Sequence, residues 1–299
     1  MIDVFGSIRN NLEENRRIPT RTLLNLNPSS QVCYDANDKQ LGSCLRQVWL
    51  EKTDQIKTNP IGVSAMMAGF SGNWWEDWFI DKLKEVGLYY THSFSLTDVN
   101  RLVKGIGDVV IKNPTTGLLE LGEIKTYDGS NYYGATALLG NTKTPPKPKD
   151  KHLLQTFRYS LIKKDEFAIN NLFYIDRACG SFNRNKQFKI ELFESNNNLY
   201  PKISTIWNNQ HYEYVDTRIS DQGIYKAEET LLGYFSTNSI PPPEFTETFT
   251  SEEINIKFSA KEIPQYIYDK YMKDPENNPI GDMACKYCAF SKGTCRDWS

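Results

Sequence analysis

A chain of 299 residues is long enough to bury a real core, as one large domain or one domain with an appendage. Its 39% hydrophobic and 24% charged residues are ordinary for a globular protein, and a formal net charge of −2 does not advertise a polyanion partner, although local basic groups cancelled by an acidic metal site would leave the same sum. No apolar run approaches the roughly 18 residues that cross a bilayer, Asp3, Arg9, Glu13 and Glu14 interrupt any secretory signal, and six cysteines are too few for a disulfide scaffold. An intracellular, cytoplasmic protein with metal-binding cysteines and no membrane partner is expected.

In chain order, residues 1–32 form a polar opening segment that ends in the loop signal Asn27-Pro28-Ser29-Ser30. Cys33 follows, and then Gly42 to Leu50 read as the start of a helix capped by Ser43. Cys44 therefore sits near a helix N-terminus, where a thiolate is favoured, although a half-buried thiol is the commoner outcome. Residues 62–87 carry the strongest helical pattern, with Met66, Met67, Phe70, Trp74, Trp75, Trp78, Phe79 and Leu83 predicting a broad apolar surface. Glu76 lies inside that aromatic run, followed by Asp77, and is either a solvated residue or a ligand turned towards a site. Tyr89 to Phe94 read as a strand.

Two strands follow, Gly105 to Ile111 and Leu119 to Thr126, joined by the turn Asn113-Pro114-Thr115-Thr116-Gly117. Side chains alternate along a strand, so Glu123 and Lys125 share a face, roughly 7 Å apart along it, while Ile124 points into a core. Asp108 alone could be a turn acid, and Glu123 with Lys125 a surface pair. Their neighbours Val109, Val110, Ile111, Leu119, Leu121 and Ile124 mark half-buried strands, where unpaired charges are unfavourable. An acid on one strand, with an acid and a lysine on the next, can hold a divalent metal beside a cation. That is chemistry for cutting phosphodiesters.

Residues 128–150 are rich in Gly, Asn, Thr and Pro and close with Lys143 to Asp150, either a solvated linker or a loop whose lysines meet phosphates. Lys151 to Ile162 read as a helix with Leu154, Phe157 and Leu161 towards the core. Gln155 and Tyr159 share another stripe, near His152 and Arg158, that could contact a phosphate and steer a strand. Strands are predicted at 167–177 and 186–193, a hairpin at 198–217 and a helix at 218–237. Pro241-Pro242-Pro243 and its acidic, Thr-rich sequel form the clearest linker. Cys179 is isolated and reads as structural or free. After a helix around Pro264 to Met272, Cys285, Cys288 and Cys295 make a compact ligand set lacking one donor, which Cys44 or Cys33 can supply. The organisation expected is an N-terminal segment (1–60), a core (61–240), and a linker with a C-terminal cysteine segment (241–299).

Taken together, the chain from Gly42 to Cys295 resembles the PD-(D/E)XK nuclease superfamily, in particular its RecB-like branch with an iron–sulfur cluster, which includes CRISPR-associated and helicase-linked exonucleases. Asp108 matches the strand acid, Glu123-Ile124-Lys125 the E-x-K, Gln155 with Tyr159 the Q-x-x-x-Y helix motif, and Gly72 to Glu76 the slot of the upstream helix. Ser43-Cys44-Leu45-Arg46 matches the N-terminal cluster cysteine; Cys285, Cys288 and Cys295 match the other three. Each motif alone is weak, and their order and the split cysteine set make the resemblance. Two positions depart from it: Gly107 where the family name has proline, and Glu76 where several relatives have histidine.

The resemblance implies an α/β, restriction-endonuclease-like fold, a mixed central sheet flanked by helices, with terminal segments joined by the cluster. It implies Mg²⁺ or Mn²⁺ held by Asp108, Glu123 and the Ile124 carbonyl, with Glu76 completing the shell or holding a second ion. Lys125 would orient or help deprotonate the attacking water, and Gln155 and Tyr159 would position the strand. Cys44, Cys285, Cys288 and Cys295 would hold a 4Fe-4S cluster, with structural zinc as the alternative. The implied activity is a DNA nuclease, an exonuclease on ends or single strands in recombination, repair or phage DNA metabolism. The alternatives are a structure-selective endonuclease and a catalytically idle DNA-binding or assembly subunit. No G-x-x-x-x-G-K-[ST] motif is present, so any unwinding would need a helicase partner. Trp74, Trp75 and Tyr159 could stack on bases, although core packing explains most of the aromatics.

Overall fold

Local turn chemistry sets out the main sheet. The described elements in chain order are β1 (Val32–Tyr34), β2 (Gln40–Gly42), α1 (Leu45–Lys52), α2 (Val63–Glu85), β3 (Tyr89–Asp98), β4 (Val103–Lys112), β5 (Leu119–Tyr127), α3 (Asp150–Ile162), β6 (Asn170–Asp176), β7 (Lys186–Ser195), β8 (Asn198–Trp207), β9 (Gln210–Val215), α4 (Asp221–Ser236), α5 (Ser251–Ser259) and α6 (Gln265–Lys273). The turn between β4 and β5 closes as Asn113 Oδ1 accepts from the Thr115 and Thr116 N–H groups, with Gly117 at φ +73°. Asn196-Asn197 and Asn208-Asn209 take positive φ in the next two hairpins, the conformation that matches strand twist. This computed structural model describes residues 26–53, 55, 57, 63–129, 137–178, 184–246, 248–282, 285, 288–291 and 295.

The chain divides into two compact units, Met1–Gly42 with Gly62–Leu232, and Ser43–Ile61 with Gly233–Ser299. In the first unit a seven-stranded sheet runs in the order β3-β4-β5-β6-β7-β8-β9. Neighbours are antiparallel except β5 and β6, which are parallel and joined by a crossover carrying α3. The protein is thus α/β with a mixed sheet flanked by helices. Alternation divides the core by face. Leu172 and Tyr174 of β6 join Phe188, Ile190 and Ile203 beneath Leu153, Leu154, Phe157 and Leu161 of α3 and Ile224 of α4. Phe173 and Ile175 point the other way, to Ile80 and Leu83 of α2 with Val109, Ile111 and Ile124.

Two expectations for the helices are corrected. The apolar surface of α2 is only half buried: Met67, Phe70 and Trp74 are 52%, 57% and 59% exposed. Their spacing of three and four puts them on one stripe, on the side of the helix away from Gly72, Glu76 and Leu83. Arg158 of α3 does not lie at the surface. It is completely buried, its Nε donating to Glu228 Oε1 at 2.8 Å and its Nη2 to Asp98 Oδ2 at 2.8 Å.

In the second unit, α1 is capped by Cys44 and not Ser43; no side chain of the N-cap residue serves it, and the Leu45 N–H donates to Glu244 Oε2 at 3.1 Å. The acidic sequel of the proline run is not wholly linker. Thr250 and Glu253 form a reciprocal capping box that starts α5. Phe258 of α5 stacks on Tyr268 of α6 with centroids 3.9 Å apart. Among the described residues no helix is long and apolar enough to cross a membrane.

Candidate functional site

The site lies where the sheet divides. The β4/β5 ladder runs from Lys112↔Leu119 to Val109↔Gly122 and stops. Beyond it β4 continues against β3, and β5 against β6 as far as Tyr127↔Asp176. Asp108 and Glu123 are the next residues on the two parting strands. The Ile124 N–H, left without a ladder partner, donates to Asp108 Oδ2 at 2.7 Å. The Ile124 carbonyl lies on the same edge of the strand. Gly107 keeps this passage narrow: a Cβ there would stand 2.7 Å from Leu121 Cδ1.

Glu123 is 2% exposed. Its Oε1 accepts from both the Lys125 ammonium and Gln155 Nε2, the latter at 2.6 Å. Its Oε2 is buried and has no hydrogen-bond partner among the described residues. Burial, then the Asp108 charge, pushes Glu123 up to about 8 despite Lys125. Burial also raises Asp108, against the Ile124 N–H and Lys125. Glu76 reaches the same group from α2, pushed up to about 7 by burial, then by Asp108 and Asp77. Burial works against the charge on Lys125, but Glu123, Asp108 and Glu76 together hold its proton more tightly than usual. Three carboxylates therefore surround one ammonium, and the group is short of positive charge.

Gln155 and Tyr159 share a stripe as their spacing predicted, and both are buried, unlike the surface position that polar groups at this spacing usually take. Gln155 Nε2 also donates to the Tyr159 hydroxyl at 2.8 Å, and Tyr159 donates onward to the Ile106 carbonyl at 3.0 Å. They orient Glu123 and tie α3 to β4. His152 is held by the Tyr174 hydroxyl at 2.8 Å and pushed down to about 3 by burial and then by Lys125, Lys149 and Lys151, so it stays neutral. Of the loop lysines, Lys143 is exposed and Lys147 lies 5.8 Å over the Tyr214 ring; residues 130–136 lie outside the described residues. Trp75 packs at the edge of the core, whereas Trp74 is exposed.

One residue near the site, Asp176, escaped the sequence reading, and Gly72 was named there without its packing role. Gly72, one turn before Glu76, brings α2 against the end of β5, since a Cβ there would stand 3.3 Å from Thr126 Oγ1. Asp176 closes β6 and accepts from the Gly129 and Ala178 N–H groups, both at 2.9 Å, fixing the chain just after β5. Its signal was an acid ending the apolar run of β6.

In the second unit Cys44, Cys285, Cys288 and Cys295 line one cavity of about 20 Å³, walled also by Leu50 and Phe245. Burial, followed by Cys44 and Cys288, pushes the Cys285 thiol up to about 12, and burial pushes Cys44 up to about 11. Cys33 is elsewhere, completely buried in the first unit's core with its Sγ 3.8 Å from the Ser220 carbonyl. Cys179 lies outside the described residues. Among the described residues no three His, Cys, Asp or Glu side chains are arranged to hold a metal ion as they stand. At the acidic group Lys125 and the Ile124 N–H already occupy carboxylate oxygens, and at the cysteines burial disfavours the thiolate form of Cys44, Cys285 and Cys288.

No protein-family model matches the chain, and no curated protein matches it at a significant level.

Proposed function

We propose that the protein is a metal-dependent deoxyribonuclease with a restriction-endonuclease-like core, acting on DNA ends or single strands in recombination, repair or phage DNA metabolism. The observation that carries this reading is the Glu123 carboxylate, with one oxygen fixed by Lys125 and Gln155 and the other buried and unbonded beside Asp108 and Glu76. Oxygen donors with surplus negative charge suit a hard divalent cation. Asp108, Glu123 and the Ile124 carbonyl would hold Mg²⁺ or Mn²⁺, with Glu76 completing the set or serving a second ion. Bound there, the ion supplies positive charge at the attacked phosphate and a water of lowered pKa. Lys125, whose proton the three acids hold more tightly than usual, would orient the attacking water or a phosphate oxygen from Nζ. Gln155 holds Glu123 in place, and Tyr159 anchors the helix behind it.

The four cysteines fit a thiolate-bound metal by donor type, number and apolar enclosure. A 4Fe-4S cluster is the group the resemblance implies, and one zinc ion, with all four sulfurs at about 2.3 Å, is the alternative. A link from Cys44 to Cys285 would restrict the unfolded chain by roughly 5 kcal/mol on the loop-closure estimate for disulfides. A clamp is role enough.

The test uses end-labelled linear and circular single-stranded DNA with Mn²⁺. Products that depend on a free end support an exonuclease, and cut circles move the reading to an endonuclease. Binding without cleavage would leave an idle subunit and overturn the enzyme reading. Lys125→Ala should abolish cleavage with the fold intact.

A further inference from the structure

The side chain that organises the cysteine cavity is not a cysteine. Arg46 follows Cys44 by two residues in α1 and is 3% exposed. Its Nε donates to the Pro241 carbonyl at 2.8 Å, and its Nη1 donates to the Cys295 carbonyl at 2.8 Å and reaches Cys295 Sγ at 3.9 Å. One rigid guanidinium thus links the helix that starts after Cys44 to Pro241 and to Cys295. Only Arg offers this planar fork of donors; a Lys ammonium is a single point of charge. Thiolates of a metal group held by the four cysteines would place negative charge beside this buried cation.

We propose that Arg46 is a positioning residue for the metal group held by the four cysteines, fixing Cys295 through its carbonyl and offsetting thiolate charge through its Sγ. The inference rests on reading those cysteines as metal ligands. Two consequences follow from its two roles. Hydrogen bonds and positive charge beside a cluster sulfur favour the more negative, reduced cluster, so Arg46 raises the reduction potential. Fixing one ligand in place slows its release, and outer-shell partners of this kind are worth about 10–100-fold in metal affinity.

The experiment compares full-length wild type, Arg46→Gln and Arg46→Lys after anaerobic reconstitution with iron and sulfide. The readouts are visible absorbance, the midpoint of a spectroscopic redox titration, and the rate of metal release to a chelator. Arg46→Gln should have a lower midpoint and release metal about tenfold faster or more. Arg46→Lys should recover the midpoint, because it keeps the charge, but not the release rate, because it cannot bridge the carbonyl and the sulfur. Arg46→Gln with midpoint and release rate both at wild-type values overturns the proposal. If Arg46→Gln fails to fold, Arg46→Lys carries the test alone, and a wild-type release rate in it overturns the proposal. Wild type that takes up only zinc overturns the cluster and leaves the release rate to decide on Arg46; wild type that takes up neither metal overturns both.

Discussion

Gln155 donates to the same Glu123 oxygen that takes the Lys125 ammonium, so two donors lock one oxygen and leave the other free for a ligand. Replacing Gln155 by Leu removes the neutral donor and lets Glu123 swing with Lys125 alone. The expected result is a fall in kcat of about 10–100-fold, the usual effect of losing a partner that orients a metal ligand, with KM for DNA unchanged. Steady-state cleavage with Mn²⁺ measures both. A rise in KM with kcat preserved would place Gln155 on the DNA instead.

Glu123 makes the metal-free protein sensitive to alkali. Its folded-state value of about 8 stands above its ordinary 4.5, so the folded state binds this proton more tightly than the unfolded chain. The stabilisation is fully present below about 4.5 and is lost as pH rises through about 8. Glu76, pushed up to about 7, acts in the same direction. The melting temperature without metal should therefore fall from pH 6 to pH 9, and Mn²⁺, taking the place of the proton, should raise it more at pH 9 than at pH 6. Glu123→Gln should flatten the slope and abolish the Mn²⁺ effect. An unchanged slope in that variant would assign the sensitivity to other groups.

Arg158 and Glu228 are both almost fully buried and joined by two hydrogen bonds, with Asp98 on the second guanidinium nitrogen. Removing Arg158 leaves the buried Glu228 with only the more distant Arg101, 3.9 Å away. Arg158→Met should lose about 3–5 kcal/mol in urea unfolding, and Arg158→Met with Glu228→Leu should lose less than the single change. A double variant as unstable as the sum of the two single changes would show that the charges do not act as a pair.

The strands, their turns and the helix of Gln155 were legible because alternation, Asn and Gly at turns, and apolar spacing are local signals. The meeting of Asp108, Glu123 and Lys125 followed from the same alternation. What was illegible depended on partners far along the chain. An i, i+4 spacing places Gln155 and Tyr159 on one stripe but does not say that the stripe is buried, which is decided by β4 and β5 beneath it. Ser43 read as a cap because the Glu244 carboxylate that serves Leu45 lies nearly 200 residues on. Cys33 and Cys44 were rivals, with Cys44 favoured by its Ser43-Cys44-Leu45-Arg46 context, and the structure places Cys44 in the cysteine cavity and Cys33 against the Ser220 carbonyl. The start of α5 was the avoidable miss, since Thr250-x-x-Glu253 is a helix-start signature outweighed by the linker composition around it.

The second unit is built from two stretches, Ser43–Ile61 and Gly233–Ser299, with all of Gly62–Leu232 between them. During synthesis Cys44 leaves the ribosome long before Cys295, by roughly 10–50 s at ordinary elongation rates. During that interval the residues of the first unit are completed as far as Leu232 and its folding can proceed, while three of the four cysteines of the cavity are still to come. On the proposed reading of the four cysteines as metal ligands, insertion would be confined to chains translated through Cys295, and a message truncated earlier would yield a product that cannot be loaded. Loading would then double as a check that translation has passed Cys295.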